Sequence, residues 1–109
     1  GCEDYARIAR ETLEGTGARE AELVFGRFEA TLPEALARAA PVDFLFVDGH
    51  HDEAATVAYV ERAAPFLAPG AVVVLDDIRW SAGMTRAWEQ VRRGAWSDLG
   101  PVGVCCLEP

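Results

Sequence analysis

The chain has 109 residues, half of them apolar, and sets 10 Lys and Arg against 18 Asp and Glu for a net charge of -8. One domain with a buried core fits that length, and the acidic balance repels phosphate backbones, which argues against nucleic acid as a partner. No apolar run approaches the ~20 residues of a membrane span, and the start lacks a signal peptide's charge and apolar stretch, so a soluble cytoplasmic protein is expected.

From Asp4 to Glu14, Tyr5, Ile8, Ala9 and Leu13 recur at helical spacing and predict an amphipathic helix that Gly15 and Gly17 end. Because Gly15-Thr16-Gly17 follows a helix and not a strand, it reads as a turn and not as a nucleotide loop. Glu22-Leu23-Val24-Phe25 reads as a short strand stopped by Gly26. Thr31-Leu32-Pro33-Glu34 has the form of a capping box with Pro in the first turn, and predicts a helix from there through about Ala40.

Two nearly continuous apolar runs come next, Val42 to Asp48 and Ala71 to Asp76, as expected of strands covered on both faces by helices. Asp52 to about Ala64 reads as the helix between them, capped by Asp52 and carrying Val57, Val60 and Ala64 inward, with Pro65, Pro69 and Gly70 turning the chain into the second run. Strand, crossover helix, strand units are right-handed and join parallel strands. Asp48 and Asp76 therefore end on one edge, roughly 5 Å apart if the strands are neighbours. Carboxylates that close call for a cation, a proton or a hydrogen-bond donor between them, and a hard metal ion is the first candidate.

Ser81 caps a further predicted helix whose Met84, Ala87, Trp88 and Val91 form an apolar core stripe, and Arg86, Arg92 and Arg93 read as its solvated face. Val102 to Leu107 is the last predicted strand. In it Cys105 and Cys106 face opposite ways. With Cys2 they make neither a disulfide framework nor a C-x-x-C site, so they read as packing residues. The alternation of helices and strands predicts an α/β, doubly wound, mostly parallel sheet with helices on both faces. Such sheets bind ligands outside the carboxyl ends of the strands, where Asp48, Asp76 and Asp77 collect.

Asp43 to His51, Phe66 to Asp77, and Ile78 to Trp88 together resemble class I S-adenosylmethionine-dependent methyltransferases. The closest likeness is to a bacterial O-methyltransferase-like branch whose fourth strand ends Asp-Gly-x-His. The resemblance implies a Rossmann-like fold, S-adenosylmethionine as cofactor, and a small-molecule hydroxyl as methyl acceptor. In the related catechol-type enzymes an acid ending the fourth strand and a pair ending the fifth hold magnesium. Asp48, Asp76 and Asp77 fall on those positions, and magnesium suits such oxygen ligands. His51 stands where those enzymes carry a catalytic lysine, and is the candidate general base. By the same resemblance Phe28 and Glu29, after a third strand, meet the adenine, while Asp48, Gly49 and His50 lie beside the cofactor.

The family's glycine-rich loop and the acid that binds the ribose have no counterpart, so residues 1–109 read as a single partial domain, the C-terminal two thirds of a methyltransferase. Strands 22–25 and 102–107 are then expected to lack their native partners, and the isolated chain to bind cofactor weakly. Two alternatives stand beside this reading: a metal-independent methyltransferase of the same fold, and a non-catalytic fragment or interaction domain. The sequence leaves the oligomeric state open.

Overall fold

The computed structural model describes residues 3–107, which divide into two units, Gly1–Ala35 and Leu36–Pro109. In the first, helix α1 spans Glu3–Thr16, with an Arg7 to Glu11 ion pair of 3.1 Å one turn apart on its surface. Its end is a Schellman turn: the Ala18 N–H donates to the Leu13 carbonyl and the Gly17 N–H to that of Glu14. Gly15 to Gly17 is thus a helix terminus, as the sequence indicates.

The predicted strand Glu22–Phe25 is not formed; residues 21–25 have no regular structure. An extended segment becomes a strand only when a neighbour takes its backbone donors and acceptors, and no described strand pairs with it. Helix α2, Phe28–Ala39, begins ahead of the predicted cap at Thr31. The Thr31 hydroxyl, inside the helix, donates to the Arg27 carbonyl at 3.0 Å, which is the i−4 bond open to a mid-helix threonine. Pro33 also lies inside and withdraws one N–H from the ladder.

The second unit holds β1 (Val42–Val47), α3 (Glu53–Ala63), a short 3-10 turn, β2 (Leu67–Leu75), α4 (Ala82–Val91), β3 (Ala95–Leu99) and β4 (Val102–Cys106). The sheet order is β1-β2-β4-β3. β1 and β2 are parallel neighbours across the α3 crossover, with Phe44 opposite Val72 and Val47 opposite Leu75. β2 starts earlier than predicted. Pro69 and Gly70 lie within it, where the register jumps from the Val42–Leu67 pair to the Phe44–Val72 pair. A bulge tolerates a proline, and Gly70 at φ +78° takes the left-handed backbone that only glycine adopts freely.

The sheet is mixed and not mostly parallel: β4 runs antiparallel to both β2 and β3. β3, absent from the predicted elements, forms a hairpin with β4 through Gly100 and Pro101, Gly100 having φ +77°. The last strand is therefore paired on both sides, contrary to expectation. It lies between β2 and β3, and Ala95–Leu99 takes the outer place.

Within this unit α3 and α4 cover one face of the sheet. Val60, Trp88 and Val91 pack on Val47, Val73, Leu75 and Cys105. On the opposite face Phe44 and Phe46 are more than half exposed. At the centre the Trp88 indole lies on Gly103, where a Cβ would come within 2.6 Å of the ring, so this close approach requires glycine. Cys105 is buried and Cys106 exposed, both free, as their alternation predicts; Cys2 lies outside the described residues. Among the described residues no helix is long and apolar enough to cross a membrane.

Candidate functional site

Since Val47 and Leu75 are register partners, Asp48 and Asp76 leave the ends of adjacent parallel strands side by side. The Asp76 N–H donates to the Val47 carbonyl at 3.0 Å, extending the ladder by one bond. Both chains then turn sharply. His50 and His51 have φ of +66° and +41°, and Asp77 has φ of +56°. Such backbone costs a non-glycine residue about 1–3 kcal/mol and persists where its surroundings over-determine it; here three such residues gather at one sheet edge.

Local hydrogen bonds hold both turns. After β1, the His51 N–H donates to the Gly49 carbonyl at 3.0 Å, and Asp52 caps α3 by accepting from the Ala55 N–H at 2.9 Å. After β2, the Asp76 Oδ1 accepts from the Asp77 N–H at 2.8 Å, and the Trp80 N–H donates to the Asp77 carbonyl. Ser81 caps α4 by accepting from the Met84 N–H at 3.1 Å. Both caps are those expected from the sequence.

The turns bring three side chains together. His51 Nε2 lies 2.6 Å from Asp77 Oδ2 and 3.8 Å from Asp48 Oδ1, and one ligand atom from each residue falls within 4.8 Å of the others. Nε2 is shielded from solvent and makes no well-aligned hydrogen bond despite the short contact. The Trp80 indole stacks on this imidazole, ring centroids 4.7 Å apart and planes 21° from parallel, and is itself 66% exposed. His50 is directed elsewhere, with Nδ1 2.7 Å from the hydroxyl of Tyr59 on α3.

A second polar cluster ties the start of α3 to α4. Arg86 donates to Glu53 Oε2 at 2.8 and 3.1 Å, and the Gln90 amide donates to Oε1 at 3.1 Å. The hydrogen bond from Arg86 holds the Glu53 carboxyl below its ordinary range, and the same bond raises the Arg86 guanidinium.

Of the residues picked from the sequence, Asp48, His51 and Asp77 converge. Asp76 is not in that group, its Oδ1 being turned to the Asp77 backbone. Gly49 and His50 form the turn after β1. Phe28 and Glu29 lie in the first turn of α2, in the unit Gly1–Ala35, with no strand before them. Sequence reasoning gave Tyr59 no place, and Trp80 entered only as part of the resembling Ile78–Trp88 segment, without a role. A tyrosine on the inward face of α3 was the available signal for Tyr59, because a buried phenol needs a partner for its hydroxyl.

A family model described as a methyltransferase domain matches residues 2–78. No curated protein and no solved structure matches the chain. The matched stretch covers most of the sequence and includes both strand ends and all three converging side chains. By that match, the chain belongs to the methyltransferase domain family.

Proposed function

We propose that the chain serves S-adenosylmethionine-dependent methyl transfer to a hydroxyl oxygen of a small molecule, with Asp48, His51 and Asp77 handling charge at the acceptor. The observation that carries this reading is the convergence of their ligand atoms within 4.8 Å at the carboxyl edge, where open α/β sheets bind ligands. When bound, S-adenosylmethionine supplies a methyl group on a cationic sulfonium. An edge bearing Asp48, Asp76 and Asp77 suits that positive charge. As the oxygen–carbon bond forms, the carbon–sulfur bond breaks, its electron pair stays on sulfur, and the hydroxyl proton must leave.

The side chains fit a divalent cation as a means of easing that proton's departure. Two carboxylate oxygens and a solvent-shielded nitrogen without an aligned hydrogen bond converge there. The nitrogen donor favours Mn2+ or Zn2+, whereas Mg2+ prefers oxygen. Held by Asp48, His51 and Asp77, a cation would lower the cost of deprotonating a hydroxyl. A second reading needs no metal and rests on the 2.6 Å contact of His51 with Asp77: with Nε2 on the carboxylate, Nδ1 accepts the proton and Asp77 stabilises the imidazolium.

A transfer assay with methyl-labelled S-adenosylmethionine and a panel of small-molecule hydroxyl and amine acceptors tests the proposal. Labelled ether is the expected product. Activity lost to a chelator and restored by Mn2+ or Zn2+ supports the cation; activity indifferent to chelation supports His51 as base. Transfer to amines alone, or no cofactor binding by calorimetry, overturns the reading.

A further inference from the structure

We infer that Tyr59 is a positioning residue: its hydroxyl anchors the His50 ring to α3 and so sets the left-handed turn that delivers His51 to Asp77. The proposed function enters only in giving His51 its importance; the contact itself is measurable without cofactor. Tyr59 is 6% exposed and shares the inner face of α3 with Thr56, Val60 and Ala63, all buried. Its ring body is therefore fixed by packing, while its hydroxyl reaches 2.7 Å from His50 Nδ1. The two rings are tilted by 46° with centroids 6.0 Å apart, so they do not stack, and the hydroxyl carries the polar contact. In the Nε2–H tautomer of His50 the phenol O–H donates to Nδ1.

His50 and His51 are consecutive, both left-handed, and their side chains contact different partners: His50 the Tyr59 hydroxyl on α3, His51 Asp77 and the Trp80 indole in the turn after β2. Histidine keeps such a conformation only where its surroundings enforce it. Within the turn the His51 N–H to Gly49 carbonyl bond spans just two residues, so the anchor to α3 ties the turn to the packed body of the unit. Without the phenol hydroxyl, His50 relaxes toward ordinary backbone and swings its neighbour off Asp77 and Trp80.

The test is nuclear magnetic resonance on the isotope-labelled full chain, reading the cross-peaks between the His51 ring and the Trp80 indole and the nitrogen shift of His50 Nδ1. Tyr59→Phe is expected to lose those cross-peaks and to move Nδ1 away from its hydrogen-bonded shift, while the backbone signals of β2 and β4 stay in place. His50→Ala removes the other partner and should lose the same cross-peaks. The double variant should lose nothing more, because the residues act as one unit. Retention of the His51–Trp80 cross-peaks in either folded single variant overturns the inference, and should Tyr59→Phe fail to fold, His50→Ala decides it. Loss of the cross-peaks in a protein that transfers no methyl group would uphold the positioning role and sink the proposed function instead.

Discussion

His51 and Asp77 meet across the ends of two neighbouring parallel strands, Nε2 to Oδ2 at 2.6 Å, and neither turn alone could create the contact. In the proposed function the pair takes part in either way of handling the acceptor proton, so its loss should be costly under both. Removing a group that manages proton transfer lowers rates by about 10²–10⁴-fold. His51→Ala is expected to lower kcat/KM of methyl transfer within that range, and Asp77→Asn by less, since the amide keeps the shape. Unchanged kcat/KM in His51→Ala would remove the imidazole from the chemistry.

Ion preference separates the observed cluster from the three-acid set expected from the sequence. Calorimetric titration should give tighter binding of Mn2+ or Zn2+ than of Mg2+, with the preference reduced by His51→Ala. Asp76→Asn should weaken binding less than Asp77→Asn, because Asp76 Oδ1 already accepts from the Asp77 N–H. Mg2+ preferred, with strong dependence on Asp76, would restore the three-acid arrangement.

Gly103 is where the sheet admits the Trp88 indole. Any Cβ there falls 2.6–2.8 Å from three atoms of that ring, and overpacking of this kind costs about 1–3 kcal/mol. Gly103→Ala should lower the urea midpoint accordingly, as read by tryptophan fluorescence. A midpoint equal to that of the parent would mean that the ring moves aside freely.

Asp52 begins α3 at the edge of the site. Its carboxylate accepts from the Ala55 N–H at 2.9 Å, and loss of such a cap costs about 0.5–2 kcal/mol. Asp52→Ala should destabilise by that amount in equilibrium unfolding and loosen the turn that carries His51. No measurable change would show the cap to be replaced by water.

The Glu53–Arg86 pair sets a pH dependence with a definite sign. The hydrogen bond from Arg86 lowers the folded Glu53 pKa, so its contribution is complete above the unfolded value, about 4.3 for glutamate, and is lost as pH falls through the depressed folded value. Arg86→Ala should bring Glu53 back toward the ordinary value in a carboxyl titration read by nuclear magnetic resonance. Added salt should shrink the difference, since the pair is exposed. A Glu53 titration unaltered by Arg86→Ala would contradict the assignment.

Local patterns in the sequence determined much of this protein. The apolar runs at Val42 and Ala71, the helix between them and the caps at Asp52 and Ser81 obey short-range rules, and all are present. Asp48, Asp76 and Asp77 were legible as an edge of carboxylates for the same reason: once two parallel strands are neighbours, the residues just past their ends must be adjacent. Tertiary structure decided the rest. Glu22–Phe25 has strand-like residues but no described strand pairs with it, whereas Ala95–Leu99, exposed along its whole length, is a strand because β4 pairs with it. A strand is defined by its neighbour, and the neighbour is not written in the segment. Likewise, that His51 and not Asp76 joins the two acids depends on left-handed backbone at His50, His51 and Asp77. Such backbone is uncommon outside glycine and persists where its surroundings over-determine it, and those surroundings include Tyr59 beside His50 and Trp80 beside His51.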